Sequence, residues 1–276
     1  MNPHATFSTS LLVLARSVWR HRDLTLQLAR REVLGRYRGS FLGLAWSFFY
    51  PLIMLTVYTF VFSVVFKAKW GVETEGGHSN FAVVLFAGML VHGVLAEVLV
   101  RAPGTVLQNT NYVKRVIFPL EILPITNVMA AAFHMLISVG VLLPAILFLG
   151  GKWHITMLAL PLVLLPLVIL SLGVAWFLGA VGVFVRDVGQ VMNVFTTILL
   201  FVSPVFFPLS AIPERFQFFV LLNPLTFIIE QARAVLLFGQ WPDMTGLAIY
   251  SVFSVLAMWL GFLVFQKMRK GFADVL

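Results

Sequence analysis

Six apolar stretches, at about 41–66, 81–100, 120–149, 155–185, 191–207 and 245–266, leave this chain almost no room to be anything but membrane-spanning helices. A helix needs about 20 apolar residues to cross a bilayer core of roughly 30 Å. The third and fourth stretches are long enough to tilt or project, whereas the fifth is short and ends at Ser203-Pro-Val-Phe-Phe-Pro208. Only 11% of the 276 residues are charged and 60% are hydrophobic, against about 25% charged in soluble domains. Lipid, not water, is the solvent for most of this sequence. The chain has zero cysteines, so neither a disulfide framework nor a redox compartment can be read. The first forty residues do not read as a cleavable signal, because residues 11–15 are too short for its apolar core.

The charges gather at the seams between these stretches and set the orientation. With the N-terminus inside, the cytoplasmic cations are Arg16, Arg20, Arg22, Arg30, Arg31, Arg36, Arg38, Arg101, Lys114, Arg115, Arg186, Lys267, Arg269 and Lys270. The other side holds Lys67, Lys69, Lys152, Arg215 and Arg233, which makes fourteen against five and follows the positive-inside rule. Six spans return the C-terminus to the cytoplasm. The net charge of +8 therefore reads as loops and anionic lipid contact, with no role for nucleic acid. The densest seam is Asn111-Tyr-Val-Lys-Arg-Val-Ile-Phe-Pro-Leu-Glu-Ile-Leu-Pro124, two adjacent cations and then a carboxylate between prolines. A passive anchor has no use for such a connector; a protein pushed by a cytoplasmic partner has.

Before the first span, Asp23 can cap a helix over residues 24–38. Leu26, Ala29, Val33 and Tyr37 fall on one stripe with Arg30, Arg31, Arg36 and Arg38 around it, the pattern of a basic helix lying in the membrane interface. A solvated helix with a charge cluster fits the same residues. Residues 203–240 are apolar yet broken by Pro204, Pro208, Pro213 and Pro224. Two short helices, about 213–222 and 224–238, predict a re-entrant hairpin on the outer side, since non-helical backbone at membrane depth must be satisfied by protein or water. The expected fold is all-α: an interface helix in residues 1–40, then a six-span domain over 41–276.

No phosphate-cradling G-x-x-x-x-G-K-[ST] or H-E-x-x-H motif occurs, the six histidines are scattered, and the aspartates are isolated. A magnesium-dependent membrane transferase is poorly supported. Ion-coupled transport needs carboxylates at membrane depth, and the candidate, Glu97, reads first as an i,i+4 partner of Arg101. Trp46, Phe49 and Tyr50 fall close on one face of the first span, and Tyr58 and Phe62 continue it at i+4 spacing. Aromatic faces can grip the C–H surfaces of sugars; helix packing and an interfacial belt explain the same residues.

Three motifs in order carry a family resemblance: Tyr37-Arg-Gly-Ser-Phe-Leu-Gly-Leu-Ala-Trp46 leading into Tyr50-Pro51, then Lys114 to Pro124, then Ser203 to Pro208 with Asn223-Pro-Leu and Glu230-Gln-Ala-Arg233. Over essentially its whole length the chain resembles the permease subunits of type-2 ABC exporters, in the branch that moves O-antigen, capsule or teichoic acid. The resemblance implies a homodimer above a separate ATPase dimer, which would hold the ATP and magnesium; no cofactor is expected in this chain. It implies a coupling helix in the loop 103–118, with Asn111, Tyr112, Val113, Lys114 and Arg115 docked on the ATPase and Arg186 and Asp187 as a smaller contact. A simple ion pair within their own short loop explains the last two nearly as well. Outer gate helices would occupy 208–240, with Pro204, Pro208, Asn223, Pro224, Glu230 and Arg233. The substrate would be an undecaprenyl-diphosphate-linked glycan, attracted at the cytoplasmic face by Arg36 and Arg38 and passed along Trp46, Phe49, Tyr50, Tyr58 and Phe62. The location would be the bacterial inner membrane, multi-pass, with both termini in the cytoplasm. The competing readings are a type-2 permease for a small lipid or drug, an ion-coupled carrier, and a glycan-transferring membrane enzyme.

Overall fold

The computed structural model describes residues 9–67, 81–113, 118–149 and 151–276, and their regular structure is entirely helical. Two helices precede the spans, α1 (Leu11–Arg20) and α2 (Arg22–Arg36). Then come α3 (Trp46–Tyr58), widened into a π-helical turn over Thr59–Val65, α4 (Phe81–Arg101) and the short α5 (Thr110–Val113). After these follow α6 (Ile122–Phe148), α7 (Leu160–Phe184), α8 (Val188–Val202), α9 (Glu214–Leu221), α10 (Pro224–Leu237), α11 (Met244–Met268) and α12 (Phe272–Val275).

Among the described residues, five helical runs are long and apolar enough to cross a membrane: Gly43–Val65, Phe81–Gly104, Ile122–Phe148, Ile155–Phe184 and Met244–Val275. The stretch expected at 191–207 is a helix of 15 residues, Val188–Val202, which at 1.5 Å per residue covers only about 22 Å. Pro204 explains the stop. It has no N–H to give the helix and pushes the residue before it out of the α region; Ser203 accordingly has ψ 150°. The hairpin predicted between prolines is present as α9 and α10, bent by 94° at residues 222–223. Counted as one broken span, the pair would raise the total to six.

α4 is the centre of the bundle, with α3, α6, α7, α8 and α10 packed around it. α7 and α11 touch backbone to backbone at Gly173 and Gly261. A Cβ on Gly261 would run into the Gly173 carbonyl, and one on Gly173 would lie 2.5 Å from the Ala257 oxygen. Small residues permit this approach, which drives helix association where lipid removes the hydrophobic incentive.

α2, the helix expected in the interface, differs from its expected form in start and rotation. It begins at Arg22 with His21 in the capping position, and Asp23 lies inside the first turn, still favourable at the positive end of the helix. The face turned inward is Thr25, Leu28, Ala29 and Val33, packed toward α6, while Leu26 is 56% exposed. The rotation is fixed by partners that no local pattern reveals: Arg31 bonds to Tyr112 and Asn109, and Arg36 to Glu97.

Replacing Gly261 by leucine should separate α7 from α11. Overpacking a tight contact costs about 1–3 kcal/mol, so the purified protein should lose its helical signal at a lower temperature, while leucine at exposed Gly35, which has open space around it, should not shift it.

Candidate functional site

A cavity of about 670 Å³ opens between α3, α4 and α6. Its wall on the α3 side includes Trp46, Tyr50, Pro51, Met54 and Tyr58; α4 contributes Phe86, Met89, His92 and Glu97, and α6 contributes Ala131, His134 and Ser138. Three of the five aromatics expected to line a path, Trp46, Tyr50 and Tyr58, therefore share one cavity. The other two do not border it: Phe49 is exposed, and Phe62 stacks on Phe81 with ring centroids 5.2 Å apart. Phe49 lies about 60° round the helix from Trp46 and about 100° from Tyr50, at the edge of the face that those two turn to the cavity.

One end of the cavity is closed by a charge cluster that joins α2, α4 and α6. Arg36 donates to Glu97 Oε1 at 2.9 Å, and His134 Nδ1 lies 2.9 Å from Glu97 Oε2. Tyr37 Oη sits 3.2 Å from His134 Nε2. Arg101 reaches Glu97 at 3.7 Å in the expected i,i+4 pair, but its shorter contact, 2.9 Å, is with Glu32 of α2. Burial, the largest influence on it, holds the Tyr37 phenol protonated to higher pH than an ordinary tyrosine. Arg38, the other cation expected here, is exposed. The sequence offered no sign that His134 belongs to this group, since it lies 37 residues from Glu97.

Of the proposed docking residues, Asn111, Tyr112 and Val113 form α5, whereas Lys114 and Arg115 lie outside the described residues. Val113 is buried, and Tyr112 stacks on Phe118 at 4.3 Å and accepts a hydrogen bond from Arg31 at 2.7 Å. After the connector, Glu121 is a junction. Its carboxylate accepts from Arg269 at 2.8 Å and from Ser17 at 2.9 Å, and its carbonyl from the Trp176 indole at 3.0 Å. Both members of the pair are buried, Glu121 8% and Arg269 7% exposed. Arg186 and Asp187 are exposed at the start of α8 and form no ion pair with each other among the described contacts.

At the proline-broken end, Asn223 caps α10 by accepting from Leu225 N at 2.9 Å and donates to Ser203 Oγ at 2.8 Å. Pro224 occupies the first helical position, where its missing N–H costs nothing. Arg233, expected on the outer hairpin, lies in α10 and is 0% exposed. It donates to the carbonyls of Pro204 at 2.6 Å, Val205 at 2.9 Å and Val84 at 3.1 Å, and pairs with Glu230 at 3.1 Å. Gly88 makes the room: a Cβ there would lie 2.8 Å from the guanidinium.

Long apolar helices, a broken helical hairpin and a cavity between spans define a multi-pass integral membrane protein. Among its described residues, no three His, Cys, Asp or Glu side chains converge to hold a metal ion. The chain belongs to the ABC-2 type transporter family, whose model matches residues 23–237, and is thus a transport subunit, not an enzyme. It is 27% identical over 272 residues to the O-antigen export system permease protein RfbA of Myxococcus xanthus, covering 96% of this chain and 99% of that protein. A protein of the same name from Klebsiella pneumoniae is 23% identical, with 92% and 95% covered. The polysialic acid transport protein KpsM of Escherichia coli is 24% identical, with 94% and 98% covered.

Arg233→Met should keep much of the volume but strip three carbonyls of their donor. Each buried polar group left unpaired costs about 1–3 kcal/mol, so thermal unfolding in detergent should occur at a clearly lower temperature, and unchanged unfolding would show that the carbonyls find other donors.

Proposed function

We propose that the chain is the membrane-spanning subunit of an exporter that carries a lipid-linked polysaccharide, of O-antigen or capsular type, across the bacterial inner membrane. The observation that carries this reading is likeness over nearly the full length to O-antigen and polysialic acid permeases. The driving force is ATP hydrolysis, with its magnesium, on a separate ATPase; this sequence has no phosphate-cradling loop of its own.

In this reading two copies of the chain stand over two ATPase subunits, with both termini in the cytoplasm. The connector at 111–115 seats on the ATPase, with Arg186 and Asp187 as a second contact. The α9–α10 hairpin, with Pro204, Pro208, Asn223, Pro224, Glu230 and Arg233, gates the outer side. α2 lies in the cytoplasmic interface, where Arg36 and Arg38 draw in the lipid diphosphate by charge-assisted hydrogen bonds. The glycan, linked through undecaprenyl diphosphate, follows the aromatic wall of the cavity. Rings stack on sugar C–H faces without fixing a register, which suits a polymer that must slide.

Alanine at Trp46, Tyr50 and Tyr58 together should lower surface polymer about tenfold or more, given about 0.5–1.5 kcal/mol per aromatic contact. Glycan should accumulate inside the cell, with normal amounts of the permease in the membrane. Alanine at Phe49 and Phe62, which do not border the cavity, should leave export intact. Normal surface polymer in the triple variant would sink the proposed path.

A further inference from the structure

Glu97 is surrounded as a phosphate would be. Arg36 Nη1 lies 2.9 Å from one carboxylate oxygen and Arg101 Nε 3.7 Å from the same one. His134 Nδ1 reaches both oxygens, at 3.0 and 2.9 Å. With its proton on Nδ1, or with both nitrogens protonated, His134 donates to Glu97, and Tyr37 Oη at Nε2 then donates to the neutral ring or accepts from the charged one. The donors come from three separate helices and meet at one end of a cavity that admits a large ligand. A carboxylate fixed by groups of this kind is a common structural pairing when it is sealed in. Here Arg36 keeps 42% of its side chain exposed, so the cluster is reachable from outside.

We propose that Glu97 is an internal stand-in for the phosphate of a lipid-linked substrate, and that Arg36, His134 and Arg101 form the phosphate subsite that the substrate claims by displacing the carboxylate. This rests on the lipid-linked reading above and adds to it the subsite, its third helix and an autoinhibitory contact. Phosphate and carboxylate compete for the same guanidinium fork, and a phosphate offers more acceptor oxygens and more charge. Arg36 can change partner cheaply. It sits in the last turn of α2, and the chain leaves that helix through Gly39, whose φ of 85° marks a turn that only glycine adopts without strain. The cavity beyond the cluster gives the attached sugar somewhere to lie, against Trp46, Tyr50 and Tyr58.

The test is binding of a fluorescent polyprenyl diphosphate to the full chain in nanodiscs of neutral lipid. Glu97→Gln should bind about tenfold tighter than the unaltered chain, the scale of one charge-assisted hydrogen bond no longer contested. Glu97→Asp, which withdraws the charge by one methylene, should gain less. His134→Phe and Arg36→Ala should each bind about tenfold more weakly. Equal or weaker binding by Glu97→Gln, with the unaltered chain binding normally, overturns the stand-in and leaves the export reading untouched. No binding by any of the four variants or by the unaltered chain overturns the stand-in and the lipid-linked reading together. Competition by phosphatidylglycerol as effective as by unlabelled polyprenyl diphosphate would assign the subsite to bulk lipid headgroups, and competition by inorganic pyrophosphate alone to a free anion; either overturns the proposal. If neither Glu97 variant yields monodisperse protein, Glu97 is a structural pair and the proposal fails.

Discussion

Inside a bilayer no water comes to rescue a backbone polar group, so every break in a helix needs a donor or acceptor from the protein itself. Among the described residues, the helices are interrupted between Val202 and Pro224, and Arg233 answers that interruption. Arg233 supplies donors to Pro204 and Val205 in the break and to Val84 on α4. A guanidinium has five N–H donors in a rigid fork, which is why one arginine can serve three carbonyls and Glu230 where a lysine could not hold that geometry. The central helix α4 must come close enough to be reached, and Gly88 permits it. The hairpin, the end of α8 and α4 are thereby one unit, with Asn223 and Ser203 adding a second tie across the break.

The same logic governs the other end of the molecule, where Glu121 and Arg269 are paired and buried. A buried pair contributes little net stability, but losing one partner strands the other at a cost of about 3–5 kcal/mol. Such a pair works as a registration point. Through Ser17, Trp176 and the Phe118 carbonyl it fixes α1, α7 and the end of α11 against the first residues of α6. Phe118 to Pro124 thus sets the angle at which the third long span begins, and any push on the connector before it meets a stiff base.

Much of this architecture was legible in the residues. Apolar run length located the long spans, and Pro213 and Pro224 placed the hairpin helices to within a residue of Glu214–Leu221 and Pro224–Leu237, because proline acts on the chain locally. What escaped was long-range. Arg233 looks like any cation of an outer hairpin until a carbonyl 149 residues away comes beside it. His134 has no metal spacing and no neighbour in sequence to suggest that it shares Glu97 with Arg36. The rotation of α2 could not be read from its own pattern, because residues 25, 28, 29 and 33 make a stripe nearly as apolar as 26, 29, 33 and 37. Tertiary partners chose between them.

That choice of rotation ties the C-terminal half of α2 to three separate partners. Arg31 holds Tyr112 and Asn109 in the connector region, Glu32 holds Arg101, and Arg36 holds Glu97 at the cavity. The three residues fall within six positions of one helix, so a displacement of its last turn reaches the connector after about one and a half turns. Half-exposed ion pairs of this sort are worth only about 0–1 kcal/mol each, and they can be exchanged at little cost. The buried Glu121–Arg269 junction cannot. The cheap contacts therefore lie where the cavity meets α2 and the connector, and the costly one lies at the root of α6.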